Sequence, residues 1–263
     1  MENRLKIDFE KTFKDNLSKK DFSTKEKYLN NFLKEGFPNR KLENWKFSDF
    51  NQIVSKNIGE LNFYNNFSKK NKISNSNLIN KFEHNKIILF NGKIENIDFS
   101  YEDKNQITIS KDKKFEIKSE ENSLLTLNNV FNDNNCLITI KSNYIFKKPL
   151  VIYHLTNDEA KSTNINLQLN FLLEQNSSLK VIDIFNNKSQ KNFINIFYNF
   201  NLKKDAILKN YKIDNYKNNN IQYSFNNIEQ DANSISETFI LSCGSKFIKN
   251  EINCSLKEKY SSA

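Results

Sequence analysis

One five-residue frame occurs four times in the second half of the chain: Leu173-Glu-Gln-Asn-Ser177, Leu202-Lys-Lys-Asp-Ala206, Ile228-Glu-Gln-Asp-Ala232 and Leu256-Lys-Glu-Lys-Tyr260. Each copy begins with an aliphatic residue, continues with three polar residues and mostly ends with a small one. The copies lie 29, 26 and 28 residues apart. A period in this range is typical of solenoids, in which stacked units bury a continuous core that no unit could bury alone.

The residues between the frames alternate between apolar and polar, as in Phe193 to Leu202, which is typical of strands. Asparagine clusters such as Asn226-Asn227 separate these runs, and asparagine tolerates the left-handed conformation that tight corners require. The pattern therefore predicts a parallel β-helix with about two strands in each unit. An ordinary β-sandwich with coincidental spacing is the alternative.

The composition indicates a folded protein whose net charge says little about its partners. The 263 residues carry 40 Lys and Arg against 31 Asp and Glu, a formal net charge of +9. Such a balance would normally suggest a nucleic acid or an anionic membrane as partner. Acidic residues are interspersed with the lysines, however, as in Lys257-Glu258-Lys259, which indicates a solvated surface with no such partner.

The cysteines and the N-terminus indicate the compartment. Cys136, Cys243 and Cys254 provide neither an even-numbered disulfide framework nor a Cys-x-x-Cys pair, which favours a reducing environment. The N-terminus lacks the apolar core of a signal peptide, and no stretch approaches about 18 consecutive apolar residues. We therefore expect a cytoplasmic protein that does not enter a membrane.

Two amphipathic helices are predicted at the start of the chain. The first follows from an apolar residue at every fourth position: Leu5, Phe9, Phe13 and Leu17. The second should begin at Ser23-Thr-Lys-Glu26, which has the spacing of a capping box. Gly36 and Pro38 should end it.

A hairpin is predicted at residues 87–94, where Asn91-Gly92 follows an apolar run. Both turn residues accept the positive φ of a type I′ turn. We therefore divide the chain into an N-terminal helical region, residues 1–84, and a β-helix domain, residues 85–263, that begins with this hairpin.

Three more segments follow the hairpin. Gln106 to Ser110 and Phe115 to Lys118 alternate like strands. Ser123 to Phe131 fits either a strand or a helix.

The single tryptophan lies in Gly36-Phe-Pro-Asn-Arg-Lys-Leu-Glu-Asn-Trp-Lys-Phe-Ser-Asp-Phe50. Its chemistry alone predicts a structural turn anchored by Trp45, in which Arg40 and Glu43 could pair if the segment is helical. The segment resembles the start of the SufD-type scaffolds in the SufB/SufD family, from the Suf system of iron-sulfur cluster assembly. The matching positions are Gly36, Pro38, Arg40, Glu43, Trp45, Lys46, Phe47, Ser48, Asp49 and Phe50.

Weaker segments agree with the same family in the same order: Leu89–Lys93, Leu127–Phe131, Leu137–Ile140 and Lys148–Leu150. The resemblance runs from about residue 30 to the last residue. It implies a right-handed parallel β-helix after a small helical N-terminal region. It also implies a C-terminal helical region that contacts the SufC ATPase, and no counterpart follows residue 263, so we expect a fragment of a longer protein.

The last frame begins a new unit and stops at Ala263. Solenoids normally carry a polar capping element at each end, and an uncapped coil exposes strand edges that can pair with another chain. We therefore expect a protein interface at the C-terminal end of the β-helix.

The resemblance implies a non-catalytic scaffold subunit that pairs with SufB and with the SufC ATPase. No cofactor is expected in this chain, whereas the assembled complex would hold a transient iron-sulfur cluster. The chain lacks a phosphate-binding loop of the G-x-x-x-x-G-K-[ST] form, so the ATPase activity should belong to the partner. A SufB-type paralogue is the nearest alternative, although the cysteine clusters expected of it are absent.

Candidate metal ligands are sparse. His84 and His154 are too distant in sequence to form a local pair, and His154 should be a hydrogen-bonded strand residue. Cys243 and Cys254 should be buried apolar residues on neighbouring strands. We therefore predict no catalytic, cofactor or metal site, and we interpret the motif around Trp45 as structural.

Two other functional classes fit less well. A polysaccharide-acting β-helix enzyme would need acids and bases on one outward strand face. Asp205 and Asp231 alone share a position in the frame, and a role in the turn explains both. A nucleic-acid binder would expose aromatic residues beside lysines, whereas the aromatic residues here alternate as core residues do.

Overall fold

The computed structural model describes residues 2–64, 78–110, 122–132, 136–187, 191–215 and 219–263. Within these ranges the chain forms a β-solenoid of about four coils with parallel strands, preceded and flanked by a few helices. The predicted fold class, mainly β with a parallel β-helix after N-terminal helices, is confirmed.

The described ranges contain four α-helices: α1 (Glu2–Phe13), α2 (Lys19–Glu35), α3 (Phe50–Asn57) and α4 (Ser123–Phe131). Helix α1 buries Leu5, Phe9 and Phe13, as its four-residue spacing predicts. Helix α4 resolves the ambiguous segment, and nearly all of its residues are buried. No helix in the described part of the chain is long and apolar enough to cross a membrane.

The predicted start of α2 is wrong, and its predicted end is confirmed. The helix begins at Lys19 because Ser18 is the N-cap, with its Oγ accepting a hydrogen bond from the backbone N–H of Asp21 at 3.2 Å. Ser23 therefore lies inside the helix. Gly36 ends α2 with a φ of +69°, a conformation that glycine adopts at little cost.

Twelve strands lie in the described residues: β1 (Asn85–Phe90), β2 (Lys93–Asp98), β3 (Ile107–Ser110), β4 (Cys136–Ile140), β5 (Leu150–Thr156), β6 (Asn164–Leu173), β7 (Ser178–Asn187), β8 (Phe193–Leu202), β9 (Ile207–Asn215), β10 (Ile221–Gln230), β11 (Ile235–Cys243) and β12 (Phe247–Leu256). They form two six-stranded sheets, ordered β11-β9-β7-β5-β1-β2 and β12-β10-β8-β6-β4-β3. Successive strands alternate between the sheets from β4 onward, so each coil holds two strands, as predicted.

The solenoid begins with antiparallel pairs. Strands β1 and β2 form the hairpin predicted around Asn91-Gly92, whose residues have φ values of +48° and +84°. Strand β3 pairs antiparallel with β4 and lies within the predicted strand at 106–110. The predicted strand at 115–118 lies outside the described residues.

The strand register corrects the third copy of the five-residue frame. Leu202 pairs with Leu173 on one side and with Gln230 on the other, and Gln230 pairs with Leu256. The third copy of the frame therefore begins at Gln230, not at Ile228, and the coils are 29, 28 and 26 residues long. A shift of two residues leaves the same side chains facing inward, because side chains alternate with a period of two.

One corner of the solenoid occurs five times along the chain. The residue with positive φ is Asn143, Asn176, Asp205, Asn233 and Tyr260 in turn. The Asn176 side chain donates to that of Asn143 at 2.9 Å, and the Asn233 side chain donates to that of Asp205 at 3.0 Å. Asparagine or aspartate thus fills four of these left-handed corners, but none of the four lies in the asparagine clusters that were predicted to form corners.

The turn predicted at Asn226-Asn227 is wrong, because both residues lie within β10. Asn227 donates to Asn199 on β8 at 3.0 Å and accepts from Asn253 on β12 at 2.8 Å. This ladder of amides satisfies the side chains across three coils, so asparagine here supports a strand.

Two large apolar cores hold the structure together. The inner core lies between the two sheets and is built from alternate strand residues. The outer core lies between the helices and the outer face of β8 and β10. In the outer core the ring centroids of Phe50 and Phe193 are 4.8 Å apart, and those of Trp45 and Phe247 are 6.2 Å apart. The helices therefore pack directly on the coils.

Candidate functional site

The last two strands form an exposed edge of the β-helix. Within the described residues β11 and β12 are the outermost strands of their sheets. Four of their large apolar side chains are about half exposed: Phe239, Leu241, Ile252 and Leu256. Edge strands present backbone N–H and C=O groups that a strand from another chain can pair with. This edge is the surface at which the sequence predicts an interface.

The residues after β12 start a further coil, as the last copy of the frame predicts. Ser262 pairs in parallel with Ile235, the first residue of β11. The Ser262 carbonyl accepts hydrogen bonds from the Ser236 N–H at 3.0 Å and from the Gln230 side chain at 2.8 Å. Residues 257–263 therefore follow the course of the preceding coils.

The interior of the solenoid becomes polar on the way to this edge. One inward-facing row crosses five strands through Ile87, Ile152, Asp183, Lys212 and Ile240. Asp183 and Lys212 are 2% and 3% exposed. Charges buried to this extent need partners, because removing them from water is costly.

Asp183 is held by two side chains. His154 Nε2 lies 2.8 Å from Asp183 Oδ1, and the Tyr198 hydroxyl donates to the same oxygen at 2.6 Å. Burial, reinforced by Asp183, raises the pKa of Tyr198 well above its ordinary value, so this hydroxyl remains a donor. The His154 ring also stacks on Phe185, with centroids 4.2 Å apart and planes at 8°. His154 is thus the hydrogen-bonded strand residue that the sequence predicts.

Lys212 has polar neighbours on the opposite sheet. Its Nζ donates to Asn250 Oδ1 at 2.6 Å. The Gln222 amide fits between Lys212 and Asp214, with its oxygen 3.0 Å from Lys212 Nζ and its nitrogen 3.1 Å from Asp214 Oδ2. Burial lowers the pKa of Lys212 to about 8, although Asp183 and Asp214 oppose this effect.

The buried cluster has no room for a substrate. The cavity beside His154 has a volume of about 10 Å³, which is too small for more than one water molecule. Across the described ranges no three His, Cys, Asp or Glu side chains are grouped as metal ligands. The cluster therefore neutralises charge inside the solenoid and offers no open catalytic centre.

Sequence reasoning missed the cluster formed by Asp183, Tyr198 and Lys212. A signal was present, because both charged residues interrupt apolar runs at inward positions. Asp183 lies in Val181-Ile-Asp-Ile-Phe185. The position of Lys212 directly beside Asp183 on the neighbouring strand could not be foreseen, because it depends on the register between β7 and β9.

The three cysteines form no disulfide and occupy different environments. Cys136 is buried in β4, and Cys254 in β12 is partly buried, with its Sγ donating to Gln230 Oε1 at 2.9 Å. Burial raises the pKa of the Cys254 thiol, which agrees with a donor role. The expected burial is wrong for Cys243, which is exposed because it ends the edge strand β11.

The second histidine, His84, lies outside the solenoid. Its Nε2 is 2.7 Å from the hydroxyl of the buried Tyr153, and its Nδ1 is 2.9 Å from the Phe82 carbonyl. His84 and His154 therefore have separate partners and form no ligand pair.

The six motif residues singled out from the sequence lie between α2 and α3: Gly36, Pro38, Arg40, Glu43, Trp45 and Lys46. The Pro38 carbonyl accepts from the Phe50 N–H at 3.0 Å, which closes the segment into a loop. The possible pair between Arg40 and Glu43 does not form, since both side chains are exposed and no ion pair joins them among the described residues. Arg40 lies in a turn before a short 3-10 helix, not on a continuous helix.

Trp45 connects this loop to the solenoid. Its ring stacks on Phe247 of β12 and lies 6.1 Å from Tyr223 of β10. Lys249 Nζ lies over the same indole, 4.9 Å from the ring centroid. The neighbouring Lys46, by contrast, is exposed. Trp45 therefore joins the loop to two of the last strands of the β-helix.

The strands near the edge carry a family signature. Residues 154–263 match the family model described as SUF system FeS cluster assembly, SufBD core domain. This match supports the SufB/SufD family. The matched residues begin within β5 and include most of the buried cluster and both edge strands, whereas the Trp45 loop lies outside them. A search of curated proteins finds no match to the chain.

Proposed function

We propose that this chain is a SufD-like, non-catalytic scaffold subunit of the cytoplasmic Suf machinery, which assembles iron-sulfur clusters. It pairs with SufB through the edge formed by β11 and β12, and the pair works with the SufC ATPase. The cluster is the cargo of the complex. The observation that carries the proposal is the SufBD core match over the strands that end in this edge.

The choice of SufD over SufB is supported by the Gly36–Phe50 segment, which resembles the start of SufD-type proteins. A SufB-type paralogue is the alternative, since the SufBD core match fits both. Co-purification distinguishes them, because a SufD-like subunit should bind SufB, whereas a SufB-like subunit should bind a separate SufD.

The test is co-expression of the tagged chain with SufC and, in separate strains, with SufB or with a separate SufD from the same source, followed by affinity purification. We expect SufB and SufC to co-purify with the chain. Ile252→Glu and Leu256→Glu place charges on two half-exposed side chains of the edge and should abolish co-purification of SufB. Ile7→Glu is the control, because Ile7 is 50% exposed on α1, away from the edge. The proposal fails if neither subunit binds the unaltered chain.

A further inference from the structure

Strand β12 gains little stabilisation from the interior of the solenoid. The buried members of the inner core include one residue of β10, Ile228, and no described residue of β11 or β12. Two inward-facing rows become polar where they reach β10. One row runs through Leu167, Ile196, Ser224 and Asn250, and the other through Leu169, Tyr198, Asn226 and Ile252. The apolar contacts that hold the earlier coils together are therefore scarce beneath β12.

Two buried amides weaken the interior of the last coils further. Asn226 on β10 and Asn210 on β9 are 4% and 1% exposed. Neither side-chain oxygen accepts a hydrogen bond from any residue that the structure describes. A buried polar group without a partner destabilises the packing around it. The last coils are thus less firmly packed inside than the first ones.

The outer face of β12, by contrast, is fastened to the Trp45 loop between α2 and α3. The Trp45 ring stacks on Phe247, with planes at 21°. Lys249, the next outward residue of β12, has its Nζ 4.9 Å from the centroid of the same indole. This amine also donates to the Asn44 carbonyl at 2.8 Å. A stacked ring, a cation over an aromatic face and a charged hydrogen bond therefore join the loop to this strand.

Glu251, the third outward residue of β12, extends these contacts to α4. It pairs with Lys249 at 2.9 Å and accepts a hydrogen bond from the Tyr223 hydroxyl. Asn122, the N-cap of α4, donates to the same carboxylate oxygen at 3.4 Å. The outer face of β12 is thus bound by groups that lie 129 and 205 residues earlier in the chain.

We propose that the Trp45 loop is a strap that closes β12 onto the solenoid. With the strap in place β12 stays paired with β10, and without it β12 opens while the earlier coils stay folded. Solenoid coils contact only their neighbours, so the outermost strand can open without the others. Strand β12 belongs to the edge at which the proposed partner pairs, so the strap also controls that edge. This last consequence rests on the proposed function, whereas the strap itself does not.

Amide hydrogen exchange of the full chain, followed by mass spectrometry, tests the strap. The reference is β5, which is buried along its whole length and contributes no residue to the outer core. We expect β12 to be protected in the natural chain. In Trp45→Ala its amides should exchange at least about tenfold faster, whereas those of β5 should change by less than about twofold.

Two further variants separate the strap from a general effect of the loop. Trp45→Phe keeps an aromatic ring against Phe247 and should recover most of the protection of β12. Phe47→Ala is the matched control, because Phe47 lies in the same loop but is 89% exposed. It should leave the exchange of β12 unchanged.

Circular dichroism establishes that each variant is folded. If Trp45→Ala is not, Lys249→Met takes its place, because it removes the amine from the indole and from the Asn44 carbonyl. It should accelerate exchange in β12 by at least about threefold.

The proposal is overturned if the β12 amides are unprotected in the natural chain, or if the variant exchanges there as the natural chain does. It is also overturned if β5 and β12 are accelerated equally, if Trp45→Phe behaves as Trp45→Ala does, or if Phe47→Ala has the same effect. The assay contains no Suf subunit, so its failure is distinguishable from a failure of the co-purification.

Discussion

Replacement of Lys212 by methionine tests whether an amine is buried between the two sheets. Burial lowers the pKa of this amine from 10.5 to about 8 in the folded chain, whereas unfolding restores the ordinary value. Between these two pH values the unfolded state binds a proton that the folded state has lost. The free energy of unfolding of the natural chain should therefore rise with pH across this window, relative to a variant without the amine.

The size of the effect follows from the shift. One pKa unit corresponds to 1.36 kcal/mol, so a fall from 10.5 to about 8 corresponds to about 3 kcal/mol. Below pH 8 the amine is protonated in both states, and the folded state carries the full free-energy cost of burying its charge. Above pH 10.5 both states are neutral and the cost is gone. The difference in unfolding free energy, natural chain minus Lys212→Met, should therefore increase by about 3 kcal/mol from pH 7 to pH 10.5.

The measurement is urea unfolding at both pH values, followed by Trp45 fluorescence and circular dichroism. Lys209→Met is the matched control, because Lys209 lies on the same strand but is partly exposed and pairs with Glu237 at 2.9 Å. The Glu237 hydrogen bond raises the pKa of Lys209, so its stabilising effect is present below the ordinary pKa and lost above it. The reasoning would be refuted if the difference in unfolding free energy between the natural chain and Lys212→Met did not change with pH. It would also be refuted if the difference for Lys209→Met rose by the same amount.

Three further substitutions test the packing and the corners by urea unfolding. Gly92→Ala should destabilise the chain by roughly 2 kcal/mol more than Gly59→Ala, because its new Cβ would lie 2.5 Å from Ile165 Cγ2 whereas that at Gly59 meets nothing within 4 Å. Equal losses would contradict the clash. Lys25→Met should cost about 2 kcal/mol, because the amine donates to three backbone carbonyls at the end of α4, and an unchanged midpoint would count against this cap. Asn176→Ala should cost about 1–2 kcal/mol and Asn176→Gly clearly less, since φ there is +57°; similar losses would argue against a left-handed corner.

Local periodicity predicts the solenoid well because its information lies in adjacent residues. Alternation of apolar residues identifies the strands, and asparagine or aspartate occupies the left-handed corners at Asn176 and Asp205. The register is harder to predict, since Ile228 and Gln230 face the same side of β10 and both are buried. Ile228 was chosen as the start of the third frame because the other frames begin with an aliphatic residue. In the structure that position is occupied by Gln230, whose side-chain amide is buried.

The buried cluster was beyond sequence reasoning for a different reason. It depends on side chains that meet only after the coils have stacked. Lys212, for example, meets Asn250 across 38 residues.

The contact between Trp45 and Phe247 has a consequence for synthesis on the ribosome. The two rings lie 202 residues apart in the chain, and the outer core cannot close until both have emerged. At a translation rate of about 5–20 residues per second, the Trp45 ring waits roughly 10–40 s for Phe247. The loop between α2 and α3 should therefore stay exposed in nascent chains until the last strands are made, even after the first helices have packed on α4.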